Sequence, residues 1–141
     1  MAKVIGFDGK EHKFNFSKYK ERSQRAGKSS HHTLARELIK EVFPLHSLYE
    51  EVTLPGSKKP ARKALLYADF FIPDLSIIVE VHGKQHYEFC SFFHKSRMDF
   101  LLSQKRDRDK VEWCELNDIK MITLPYNKEK EWRQMLEKYM D

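Results

Sequence analysis

The sequence predicts an α/β domain of the α+β kind, with a mixed central sheet of about four strands and helices on its faces. Three observations carry this expectation. Residues 65–72 and 75–82 are apolar runs rich in β-branched and aromatic residues, joined at Pro73-Asp74. Helical periodicity marks residues 31–43, about 95–117 and 128–140. The long helix falls between the third and fourth strands, where it allows a crossover and so a parallel pair in an otherwise antiparallel sheet. The order is an N-terminal hairpin and basic arm, then α-β-β-β-α-β-α.

In chain order, Val4-Ile5 and His12, Phe14 and Phe16 flank Asp8-Gly9, a good two-residue hairpin turn. A basic arm follows with Lys18, Lys20, Arg22, Arg25 and Lys28. Phe14, Phe16 and Tyr19 lie among these cations. Either they stack on or wedge between bases, or they pack the hairpin on the core. In the first helix Leu34, Leu38 and Val42 form the apolar stripe, Ser30 is the N-cap and Pro44 lies just past the end. Glu37 and Glu41 sit one turn apart on its flank. Residues 48–54 suggest an edge strand, ended by Pro55-Gly56. The loop carrying Lys58, Lys59, Arg62 and Lys63 is either a phosphate contact or a solvated hairpin end. The long helix has a mixed face drawn by Met98, Leu101, Leu102, Lys105, Arg108, Val111, Glu112 and Glu115, with Trp113 and Leu116 packing near its end. Residues 119–124 form the last strand, and Trp132, Met135, Leu136 and Tyr139 line the last helix.

Residues 1–30 hold eight Lys/Arg and three Asp/Glu, while the remainder hold 18 of each, so the net charge of +5 sits entirely in the N-terminal part. We divide the chain accordingly into 1–30, hairpin and basic arm, and 31–141, the catalytic domain. A basic arm on a neutral body suits a polyanion. No apolar run has the length of a membrane span, the N-terminus has no apolar signal core, and two cysteines make no disulfide framework. The expected setting is therefore cytoplasmic, with free thiols and no membrane partner.

The chemistry is expected at the central strands. Asp69 interrupts the first, and Glu80 and His82 interrupt the second. A buried carboxylate needs compensation, and two converging carboxylates suit a hard cation, Mg²⁺ or Mn²⁺. His82 is the expected general base, with Asp107 either orienting its imidazole or binding a water beyond the metal's own ligands, and Arg106 and Arg108 holding phosphate. Gln85 and His86, after Gly83, either contact the scissile phosphate or cap the strand.

Asp69, then Glu80-Val81-His82, with Ala68-Asp69-Phe70, His82-Gly83 followed by His86, and Arg106-Asp107-Arg108, resembles the PD-(D/E)XK nuclease superfamily. Histidine stands where that pattern has lysine. This is similar to the E-D-x-H-D branch, which holds phage homing endonucleases and the very-short-patch-repair endonuclease. The resemblance covers roughly residues 31–126. It implies that Glu37 is the helical glutamate, that Asp69 binds metal with help from the Val81 carbonyl, that His82 acts on the attacking water, and that Asp107 supports the site. The repair relatives carry structural zinc. Here Cys90 and Cys114 are the only cysteines, and although Cys90 and His94 have i, i+4 spacing, no structural zinc is expected. The implied function is a site-specific, metal-dependent endonuclease on double-stranded DNA, acting as monomer or dimer in a phage-infected or bacterial cell. Mismatch-directed nicking and a non-catalytic nucleic-acid-binding module are the alternatives.

Overall fold

A computed structural model describes residues 3–16 and 30–140. The expected DNA-contacting cations Lys18, Lys20, Arg22, Arg25 and Lys28, with Tyr19, lie outside the described residues. Strands β1 (Lys3–Ile5) and β2 (Glu11–Lys13) pair antiparallel around Asp8-Gly9. Then come α1 (Ser30–Val42), β3 (Tyr49–Thr53), β4 (Tyr67–Ile72), β5 (Ile77–His82), α2 (Arg97–Leu116), β6 (Lys120–Pro125) and α3 (Trp132–Glu137). In space the larger sheet runs β3-β4-β5-β6. Its first two pairs are antiparallel and β5 with β6 is parallel. A parallel pair needs a crossover connection, and α2 is that crossover. The predicted mixed four-stranded sheet is therefore present.

Alternation along the strands feeds two cores. Ile77 and Val79, with Phe70 and Ile72, pack under α1 and α3 through Ala35, Ile39, Val42, Trp132 and Leu136. Ile78 and Phe71 face the other way, against Trp113 and Cys114 of α2. The hairpin joins this second core through Val4 and Phe14. Asn117, at the end of α2, fastens it there by accepting the Ile5 N–H at 2.6 Å and donating to the Ile5 carbonyl at 3.0 Å. Phe16 stacks on Tyr49 at 5.2 Å. Of the two readings of Phe14 and Phe16, packing on the core is the one seen.

Three helical expectations change. The stripe of α1 that buries is His32, Ala35, Ile39 and Val42, with Leu34 and Leu38 half-buried beside it. In α2 the apolar residues of the mixed face, Met98, Leu101, Leu102 and Val111, are exposed; of the two expected to pack near its end Trp113 is buried and Leu116 exposed, and Asp109 and Cys114 are its other buried positions. The helix starts cleanly because the Ser96 side chain accepts the Asp99 N–H at 3.2 Å. The last helix is shorter than periodicity suggests: residues 129–131 are a 3₁₀ turn before α3.

One break in the β3–β4 ladder lies beside the site. Glu50 pairs with Phe70 and Val52 with Ala68, but no rung joins Glu51 to Asp69. Glu51 sits at φ +50°, a left-handed backbone that a non-glycine residue holds only under local constraint. The Asp69 N–H faces β5 and donates to the Glu80 side chain.

Beside the break is a buried ionic cluster. Glu50 accepts from His32 Nε2 at 2.8 Å and from Arg36 at 2.7 and 2.9 Å, while the His32 ring stacks on Phe70. Burial alone would raise the Glu50 pKa, but the bonds from His32 and Arg36 outweigh it and hold the carboxyl below its ordinary 4.5. A carboxyl whose pKa is lower in the folded state stabilises the fold above 4.5 and loses that contribution as pH falls further. Glu50→Ala is expected to lower stability at pH 7 by about 3 kcal/mol, because Arg36 and His32 lose the buried carboxylate that they both bond. The gap from wild type narrows in acid. Urea unfolding of both proteins at pH 7 and pH 3 checks this.

Candidate active site

The β4–β5 register sets Phe70 opposite Val79, which makes Asp69 and Glu80 neighbours across the strands. Their contacts interlock. Asp69 Oδ2 accepts the Val81 N–H at 2.8 Å, and Glu80 Oε2 accepts the Asp69 N–H at 2.7 Å. Glu80 Oε1 is bonded by the ammonium of Lys110, which arrives from α2. His82 Nε2 lies 3.9 Å from that same oxygen. The Glu80 side chain is only 2 % exposed, so the Lys110 charge is what makes its ionised form tolerable there.

The two carboxyls divide their protonation. Burial, then the charge of Glu80, pushes Asp69 up to about 6. Burial would raise Glu80 as well, but the charge and hydrogen bond of Lys110 hold it below its ordinary value. Burial would lower Lys110, and Glu80 reverses that and raises it. The cluster is short of positive charge on the Asp69 side. Among the described residues no hydrogen bond is made to Asp69 Oδ1. Two carboxylates with an oxygen to spare form a donor set that fits a hard divalent cation.

Beyond Gly83 the chain makes a 3₁₀ turn, Lys84–His86, that folds His86 back onto His82. The two imidazoles stack at 4.0 Å with 5° between their planes. Gly83 is extended at φ −73°, and a Cβ there would meet only the end of the flexible Gln85 side chain, 2.5 Å from its Oε1. Asp107 bonds His86 Nδ1 at 2.8 Å. Burial would raise the Asp107 pKa, and the bond from His86 outweighs it and keeps the carboxyl below its ordinary value. Asp107 was expected to orient His82, and it bonds His86 instead. Asp107 and Lys110 are i and i+3 on α2, so one helix face supplies both.

Several expected residues stand elsewhere. Glu37 is exposed on α1, and the side chains of α1 that turn inward are His32 and Arg36, toward Glu50. β5 ends at His82, and Lys84 is exposed in the turn that follows. For Val81 the contact seen is its N–H to Asp69, where the carbonyl was expected to serve. Lys59 is bonded to Asp109 and Glu112 at 3.0 and 2.9 Å, and Arg62 to Asp109 at 3.1 Å. Both therefore clamp their loop to α2, while Lys58 and Lys63 are exposed. His94 Nδ1 accepts the Cys90 N–H at 3.1 Å, and burial pushes the Cys114 thiol up to about 12.

Lys110 is the functional residue that sequence reasoning missed. It lies in the charged run 104–110, where nothing local sets it apart from Lys105 or Arg108. Two clefts open on this cluster. One of about 400 Å³ is lined by Arg62, Tyr67, His86 and Arg106, the other of about 150 Å³ by Glu80, His82 and Arg108. Asp107 and Lys110 form a wall common to both. The exposed Arg106 and Arg108 thus stand on either side of Asp107.

Curated relatives match part of the chain. It is 39% identical over 61 residues to uncharacterized protein 033L of Invertebrate iridescent virus 3, and to the same extent to uncharacterized protein 307L of Invertebrate iridescent virus 6. Each match covers 43% of this chain and 31% of the relative. It is 34% identical over 79 residues to uncharacterized protein 094L of Frog virus 3, covering 55% of this chain and 51% of that one. The chain therefore spans between 31% and 51% of the length of these relatives. No family model matches it, and no solved structure matches it. Among the described residues, no helix is long and apolar enough to cross a membrane.

Carbon-13 NMR of the metal-free protein should give Asp69 a pKa of about 6, falling in Glu80→Gln and rising in Lys110→Met. An acid whose folded pKa is raised destabilises the fold as pH climbs from its ordinary 3.8 through about 6, and the deficit persists above. Asp69→Asn is therefore expected to stabilise the metal-free protein at pH 7 by about 1–3 kcal/mol and to lose that advantage below pH 3.8.

Proposed function

We propose that the chain is a metal-dependent DNA endonuclease that hydrolyses one phosphodiester bond per visit, with its site on Asp69, Glu80, His86, Asp107 and Lys110. The observation that carries the reading is Lys110 on Glu80, one strand away from Asp69. The nuclease pattern that the sequence resembles has a lysine two residues after its glutamate. Here His82 stands there, and an ammonium reaches the same carboxylate from α2. Two acids on adjacent strands, with a lysine brought to them from α2, therefore support the resemblance at the very position where the sequence departs from it.

Asp69 and Glu80 are the residues that would hold Mg²⁺ or Mn²⁺, and the ion would supply Lewis-acid activation of water and charge for the leaving oxygen. The remaining work belongs to side chains. With its Nδ1–H donated to Asp107, His86 presents Nε2 as a proton acceptor for the attacking water. His82 braces that ring by stacking on it. Lys110, and Arg106 and Arg108 at the clefts, supply positive charge for the phosphate. The N-terminal cations, with Lys58 and Lys63, would add affinity through the backbone of duplex DNA. One site of this kind cuts one strand, so a double-strand break needs a dimer or two visits. The iridescent and frog virus relatives favour a viral setting, and homing remains the biology that the resemblance implies.

The test is cleavage of supercoiled plasmid with Mg²⁺, Mn²⁺ or EDTA, followed by viral genomic DNA in case the site is rare. Wild type is expected to nick only with metal. Asp69→Asn, Glu80→Gln and Lys110→Met lose about 100-fold or more, and His86→Ala loses about 100-fold or more. Glu37→Ala, altered at an exposed position of α1, keeps its activity. Cleavage that survives EDTA or Asp69→Asn overturns the assignment.

A further inference from the structure

The geometry points to a second metal site, built for a different class of ion: we propose that His82, His86 and Asp107 bind a divalent transition metal such as Zn²⁺ or Co²⁺. One ligand atom from each of the three lies within 4.8 Å of the other two, and all three side chains are half-buried and reachable from the clefts. Ions of this class bind imidazole at about 2.0–2.1 Å, so ligand atoms on one ion stand roughly 3–4 Å apart. Small rotations close the remaining distance. Two imidazoles and one carboxylate prefer Zn²⁺ or Co²⁺, whereas Mg²⁺ and Mn²⁺ prefer the all-oxygen set of Asp69 and Glu80. The two sites are thus separated by ligand chemistry as well as by position.

Entry of the ion has a structural signature. An imidazole lone pair lies in the plane of its ring, and the planes of His82 and His86 are parallel. One ion cannot lie in both planes at once, so binding must tilt the rings and break the stack. It must also displace the proton between His86 Nδ1 and Asp107, or else take His86 through Nε2 with Asp107 turned toward the ion. Either way the ion competes for the His86 geometry that we assign to water activation. Occupation of this site by Zn²⁺ is therefore inhibitory to Mg²⁺-dependent cleavage, a consequence that rests on the nuclease reading, whereas the metal site itself does not.

Titration of the full chain with Co²⁺, followed by visible absorption, tests the site without any activity. Wild type and Asp69→Asn are expected to bind one Co²⁺ with similar affinity. His86→Ala and Asp107→Asn should weaken it about tenfold or more. In wild type, Zn²⁺ should shift the ring-proton NMR signals of two of the seven histidines, those of His82 and His86. That readout holds even if a variant fails to fold. Absence of saturable Co²⁺ binding, equal binding in His86→Ala and Asp107→Asn, loss of binding in Asp69→Asn, or a Zn²⁺ shift confined to other histidines overturns the proposal. Wild-type protein that binds Co²⁺ through these histidines yet never cuts DNA supports the metal site and removes the nuclease reading. Cleavage that Asp69→Asn abolishes, from protein without a histidine-bound metal, does the reverse.

Discussion

Glu80 is a carboxylate buried in the middle strand region of a small sheet, and the structure depends on how that charge is tolerated. Its two oxygens are answered by unlike donors, a backbone N–H from the neighbouring strand and an ammonium from the crossover helix. Each donor has a structural origin. The N–H faces β5, where the rungs with β4 stop at Phe70 and Val79, and Lys110 comes within reach because α2 must pass over that face to make β6 parallel to β5. Asp69, held close by the same arrangement, becomes the carboxyl that is hard to ionise. Lys110 does not cancel that effect, so the ionised form of Asp69 costs the fold stability at neutral pH.

The helix α2 explains why this site is compact. An ordinary surface helix turns an apolar stripe inward. Here the inward positions near its middle are Asp107 and Lys110, and the apolar anchors, Trp113 and Cys114, are confined to its last turns. Asp109 takes Lys59 and Arg62 from the loop before β4, so the helix is also held by an ion-pair clamp. Its first half instead exposes Met98, Leu101 and Leu102. Charge rather than apolar burial positions the middle of this helix.

The strands and the acids at their centre were legible because their signals are local. β-branched runs, a Pro-Asp turn and carboxylates inside apolar stretches need no knowledge of distant contacts, and the crossover rule then supplies the sheet. Lys110 was not legible, because nothing local distinguishes it from Lys105 or Arg108 in a dense charged run. Only the angle at which α2 crosses the sheet selects it. Glu37 was chosen for its helical spacing, but burial on α1 follows the side of the helix that meets β3 and β4, and that side carries His32 and Arg36. Asp107 was identified with the wrong imidazole for a similar reason. The 3₁₀ turn after Gly83 brings His86 back across His82, a reversal that strand alternation cannot foresee. Charge alone left two readings of the hairpin aromatics open, and Val4 and Phe14 are seen in the core under α2.

Anomalous diffraction from crystals soaked in Mn²⁺ tests the central claim most directly, because it locates the ion without relying on a DNA target. The account predicts a peak bonded to carboxylate oxygens of both Asp69 and Glu80. Asp69 and Glu80 retaining only their protein contacts at saturating Mn²⁺, with no peak between them, would contradict it.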